Sequence, residues 1–238
     1  MEIPDKLYTD DGRVIYTCDL RYINHGANAD VWRLNDDYAV KLFRPNTQKM
    51  APEVVDIFKK IHFSCFPNLY STLKRSYHQE EFDGYLMDYL EEGDGISILD
   101  IPSKNLISSV FGLEEDFSSM TSCGVISRDI RVGNTMITKD CMLKLYDYDL
   151  FYIQSDYDIP IDSVSTEYQL LKELFIDAIC MDYSFSASER VEVFKYINEV
   201  FSFYQFQDVM PSQVIKDSFS RDDTPKKFFK RYVSGKNC

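Results

Sequence analysis

The chain has 238 residues, 45% hydrophobic and 27% charged, which suits a globular protein with one domain of two lobes or two small domains. Its formal net charge of -13 argues against broad nucleic-acid or anionic-membrane binding. The six cysteines form no Cys-x-x-Cys pair and the three histidines are scattered, so reduced thiols in a cytoplasmic protein are expected rather than a structural zinc site.

The opening Met-Glu-Ile-Pro-Asp has neither a basic region nor an apolar run, so no signal peptide is expected. No apolar stretch is long enough to span a bilayer. Residues 1–20 show no clear periodicity and read as a lead-in. Arg21, Tyr22 and Ile23 read as a strand, residues 24–30 as a turn, and Val31 to Leu34 as the returning strand. A second turn at Asn35, Asp36 and Asp37 leads to a third strand over residues 38–43. Residues 52–61 read as a helix, with Pro52 at its first position and Glu53 in its first turn. Val54, Val55, Phe58 and Ile61 give that helix an apolar face.

Strands are expected at 69–73 and 82–89, around a polar loop, and a helix at 105–121 with Leu106, Val110, Leu113 and Phe117 inward. Residues 135–137 and 143–146 read as two short strands around a Lys139-Asp140 turn, an arrangement that would bring Asp147 back beside Asn134. After a short acidic, aromatic stretch at 151–162, a helix is expected at 165–179 with Leu170, Leu171, Leu174 and Ala178 inward. Ser186 and Glu189 match a capping box, and the helix it opens carries Val193, Phe194, Ile197, Val200 and Phe201 inward. A last helix starts at Thr224-Pro225. Its Lys226, Lys227, Lys230 and Arg231 read as a solvated face, with docking of a partner as the alternative.

The run Ser127-Arg128-Asp129-Ile130-Arg131-Val132-Gly133-Asn134, followed by Asp147, resembles the catalytic loop and metal-binding motif of the protein-kinase superfamily. Other stretches resemble that family in the same order. The turn around Gly26 and the strand with Ala39 and Lys41 resemble its nucleotide-binding loop and V-A-I-K strand. Phe66-Pro67-Asn68-Leu69 resembles its H-P-N-I turn, and Tyr85 to Gly93 its L-V-M-E-Y-x-x-G connector. The resemblance implies an α+β, bilobal fold, with an antiparallel-sheet N-lobe in residues 1–89 and a reduced, mostly helical C-lobe in residues 90–238.

It also implies ATP and Mg²⁺ as cofactors and assigns roles. Gly26, Ala27, Asn28 and Ala29 would cover the phosphates. Val31, Ala39 and Met87 would contact the adenine, and the Asp88 C=O and Leu90 N–H would bond its edge. Lys41, held by Glu53 or one turn on by Asp56, would contact phosphate. Asp129 would orient the acceptor hydroxyl, Arg131 would help neutralise the γ-phosphate, and Asn134 and Asp147 would hold Mg²⁺.

The chain departs from the family at several places. Asn24 and Ala29 stand where it has glycines, Ser127 where it has histidine, and Asp149 where glycine follows the metal-binding Asp. Asp149 is expected either to assist the metal or to point outward. No A-P-E motif follows, and Arg128 is expected to pair with a carboxylate in residues 156–162 or to be structural. The implied activity is transfer of the γ-phosphate of MgATP to a hydroxyl acceptor, the Ser or Thr of a protein. A small-molecule kinase and a nucleotide-binding pseudokinase acting as an interaction module are the alternatives. Neither a nucleic-acid partner nor a membrane span is expected, and the oligomeric state is open.

Overall fold

The computed structural model describes residues 3–47, 49–127, 129–147, 149–154 and 163–235, and its class is α+β. The chain opens with a hairpin, β1 (Lys6–Thr9) and β2 (Val14–Tyr16), where the sequence reads as a lead-in. Strands this short leave no period to read: the inward apolar residues are the cross-strand pair Leu7 and Ile15.

The hairpin joins β3 (Arg21–His25), β4 (Ala29–Arg33), β5 (Tyr38–Phe43), β6 (Leu69–Lys74) and β7 (Gly84–Asp88) in one seven-stranded antiparallel sheet, ordered β2-β1-β6-β7-β5-β4-β3. β5 is an interior strand and almost wholly buried, whereas β3 is exposed along its length, as an edge strand is.

Register sorts the side chains. Ala29 lies opposite Phe43, Val31 opposite Lys41, Ala39 opposite Met87, and Lys41 opposite Tyr85. Because alternate residues share a face, these residues lie together on one side of the sheet. Trp32, Val40, Leu42 and Leu86 lie on the other, where they form a small core with Leu7, Ile15 and Leu73. Gly84 permits the close approach of β7 to β5, since a Cβ there would lie 2.2 Å from the Lys41 carbonyl oxygen.

The face of the sheet that carries Lys41 belongs to the main core, which continues through α1 (Pro52–Phe58) into the helices. α1 is shorter than expected and buries Val54, Val55 and Phe58. α2 (Ser103–Ser122) buries Leu106, Val110, Leu113, Phe117 and Met120 as a helical stripe. The buried Asp116 carboxylate of α2 accepts from the Ser64 and Cys65 backbone N–H groups at 3.0 and 2.7 Å, fixing the loop after α1. The Cys65 carbonyl in turn accepts from Leu145 N–H at 2.8 Å.

Past α2 the chain forms β8 (Val125–Ser127), the hairpin β9 (Thr135–Ile137) and β10 (Leu143–Leu145), then β11 (Phe151–Ile153). β8 and β11 pair antiparallel, with Ser127 opposite Phe151, so everything between them emerges from one closed base. Both strands went unread in the sequence.

The remaining helices are α3 (Ser163–Met181), α4 (Ala187–Phe206), α5 (Pro211–Phe219) and α6 (Pro225–Val233). The capping box at Ser186 and Glu189 forms at the start of α4. α5 was not expected; Pro211 opens it and Val214, Ile215 and Phe219 turn inward. No helix among the described residues is long and apolar enough to cross a membrane.

Candidate functional site

The β9–β10 hairpin pairs Thr135 with Leu145 and Ile137 with Leu143. Its pairing extends one step to the site, because Tyr146 N–H donates to the Asn134 carbonyl at 3.1 Å. The Tyr146 hydroxyl donates to the Gly133 carbonyl at 2.6 Å. The residue that follows, Asp147, is thereby set beside Asn134.

Asn134 is buried, and its Nδ2 donates to both the Asp129 carbonyl and Asp129 Oδ2, at 2.8 and 2.9 Å. Arg131 Nε lies 2.8 Å from Asp129 Oδ1. Ser127 Oγ accepts from Asp129 N–H at 3.1 Å and so braces the loop from its base. Asp129 is thus held in place by side chains on both sides of it in sequence.

Lys41 reaches this cluster from the sheet. Its Nζ lies 2.9 Å from Asp147 Oδ1 and 2.7 Å from Asp149 Oδ1. Asp149 N–H also donates to Asp147 Oδ1, at 3.2 Å. Burial disfavours the charged form of all three side chains. At Lys41, burial is outweighed by the Asp149 and Asp147 carboxylates, and the ammonium is held above its usual range. At Asp147, burial is outweighed by Lys41 and the Asp149 N–H, and the carboxyl lies below its usual range. At Asp149, burial wins against the pull of Lys41, the Asp147 charge adds to it, and the carboxyl is pushed up to about 6.

Two expectations need correction. Glu53 does not hold Lys41: it is exposed on the first turn of α1, as is Asp56 one turn on, and the ion pairs of Lys41 are with Asp147 and Asp149. The reason is helix phase. Val54, Val55 and Phe58 take the buried face of a seven-residue helix, and Glu53 and Asp56 fall outside it. Asp149 does not point outward; it is buried against Lys41.

The other candidates line the same face of the sheet or its edge. Ala29, Ala39 and Met87 are buried there, and Val31 is half-buried. Gly26 N–H closes the turn onto the Ala29 carbonyl at 2.8 Å. The turn is pinned from behind: Arg44 N–H and Thr47 Oγ1 donate to the Asn28 carbonyl, Arg44 Nη1 reaches the Ala27 carbonyl at 3.5 Å, and Arg44 Nη2 pairs with Asp30 at 2.6 Å. Sequence reasoning missed Arg44 and Thr47. At the end of β7, Asp88 accepts from Asn68 N–H, Asn68 Nδ2 and the Tyr70 hydroxyl. Leu90 follows, half-buried.

Asp147, Asp149 and Asn134 offer hard oxygen donors of the kind Mg²⁺ takes alongside phosphate and water. The described residues contain no group of three or more His, Cys, Asp or Glu placed to hold a metal by themselves. As donors, these side chains would need further oxygens from a ligand or water to complete a Mg²⁺ shell. Arg128 and residues 156–162 lie outside the described residues. No family model matches the chain, and a search of curated proteins finds no relative.

Proposed function

We propose that this chain is an ATP-dependent phosphotransferase with a bilobal, protein-kinase-like fold, acting on a hydroxyl acceptor, the Ser or Thr of a protein. The observation that carries the reading is the Lys41–Asp147 pair. A lysine from an interior strand of the sheet meets a carboxylate 106 positions away, beside the Asp129–Asn134 loop. Phosphoryl transfer demands such an arrangement: cationic and metal-holding groups at the phosphates, and one carboxylate at the acceptor.

MgATP supplies the transferable phosphoryl group. Asn134 Oδ1 and Asp147 would hold Mg²⁺; Asn134 Nδ2 is already committed to Asp129, which fixes which way its amide faces. Lys41 would bind the α- and β-phosphates. Val31, Ala39 and Met87 provide an apolar surface for the base on the same face of the sheet as Lys41. Asp129 would take the proton of the acceptor hydroxyl and orient its oxygen. Arg131 would leave Asp129 for the incoming phosphate charge; its side chain is 63% exposed and free to turn.

Thermal unfolding with and without MgATP tests the reading, on the native chain and on Asp147→Ala. A nucleotide at about 100 times its Kd adds roughly 2.7 kcal/mol of stability. An upward shift that needs magnesium and is lost in Asp147→Ala is expected. No shift at millimolar MgATP would sink the proposal.

A further inference from the structure

We infer that Asp149, and no helix carboxylate, is the residue that positions Lys41 for phosphate. The inference rests on the phosphotransfer reading of the site and names a part of it that the kinase resemblance does not supply.

Lys41 Nζ is shared between two carboxylates that differ in access. The Asp147 side chain is 32% exposed, and that of Asp149 is 4% exposed. A carboxylate that engages a cation arriving with its ligand has to meet solvent, and Asp147 does. Once Asp147 is so engaged, its hold on Lys41 weakens. A buried ammonium left without a counter-charge is strongly disfavoured. Asp149 stays behind the lysine, 2.7 Å from Nζ, and keeps the ammonium charged and pointing at the same place. The Asp149 backbone N–H donates to Asp147 Oδ1 and ties that carboxylate to the Asp149 backbone. Glu53, the residue that resemblance would assign to the task, is exposed on α1.

Calorimetric titration with MgADP and with adenosine separates positioning from mere structural support, because adenosine has no phosphate for Lys41 to meet. Asp149→Asn is expected to weaken MgADP by at least about tenfold and adenosine by no more than about twofold. Glu53→Gln is expected to leave both affinities within about twofold. In a Lys41→Met background, Asp149→Asn is expected to add no further loss beyond about twofold.

Equal weakening of adenosine and MgADP, or the full loss repeated on top of Lys41→Met, would mean a structural role and would overturn the inference. So would an unchanged MgADP affinity in Asp149→Asn, or an equal loss in Glu53→Gln. If Asp149→Asn does not fold, Asp149→Glu carries the same comparison: it keeps the charge, displaces the lysine by one methylene, and should lose MgADP selectively. A native chain that binds neither ligand would overturn the phosphotransfer reading and this inference together.

Discussion

At the scale of single residues, Asp129 and Cys65 make opposite claims on their surroundings. Asp129 is anchored through Ser127, Asn134 and Arg131, yet part of its carboxylate still meets solvent. If it takes the acceptor proton, Asp129→Asn should lower kcat by roughly 10²–10⁴ with nucleotide affinity little changed. Steady-state kinetics with a found acceptor checks this, and intact turnover would remove Asp129 from the role of base. Cys65 is a structural thiol. Burial pushes it up from 9.0 to about 11, and the Asp116 carboxylate adds to the rise. A raised folded-state pKa favours the protonated form in the folded chain. Its contribution is therefore full below pH 9 and declines as pH climbs to about 11, by at most about 1.4 kcal/mol per pH unit. Urea titrations of the native chain and Cys65→Ala across that window should show the shallower decline in the variant. The exposed Cys18, Cys123 and Cys180 should label with a thiol reagent while Cys65 is spared.

Elements succeed or fail as readings according to how local their cause is. The β9–β10 hairpin was legible because its turn and flanking apolar residues are contiguous, and the start of α4 because Ser186 and Glu189 are three apart. The partnership of Lys41 with Asp149 spans 108 positions, and no local pattern encodes it. Glu53 was misplaced because family order stood in for helix phase. The close packing of β7 against β5 was equally hidden, since Gly84 reads only as a weak strand residue. Gly84→Ala would drive a methyl into the Lys41 carbonyl and the Leu42 side chain. It should cost on the order of 1–3 kcal/mol and lower Tm, and it should weaken nucleotide binding through Lys41. A Tm equal to that of the native chain would mean that β7 yields at no cost.

At the scale of the whole molecule, the α+β class that the family resemblance implied is the class observed. The N-terminal hairpin and α5 were not legible in the sequence, the first being too short for periodicity and the second carrying only Val214, Ile215 and Phe219 as signal. The basic residues of α6 are absorbed within the fold. Lys226 pairs with Asp182, Lys227 with Asp223, Lys230 with Glu189 and Arg231 with Asp222. A cationic face that is neutralised residue by residue where it stands offers little to an anionic partner.

The route from sheet to helices has one more consequence. Tyr89 N–H donates to Asp37 on the sheet side, and the Glu91 carbonyl accepts from Lys139 N–H on the β9–β10 turn. Gly93 N–H then donates to the Ile137 carbonyl. Between the last tie to the sheet and the first to the hairpin stands Leu90 alone. Any movement of the sheet relative to the hairpin along this connector would turn on the backbone dihedrals of Tyr89, Glu91 and, at the centre of the three, Leu90. Amide exchange should find the Leu90 N–H less protected than those of Tyr89 and Lys139, each already bonded across the joint.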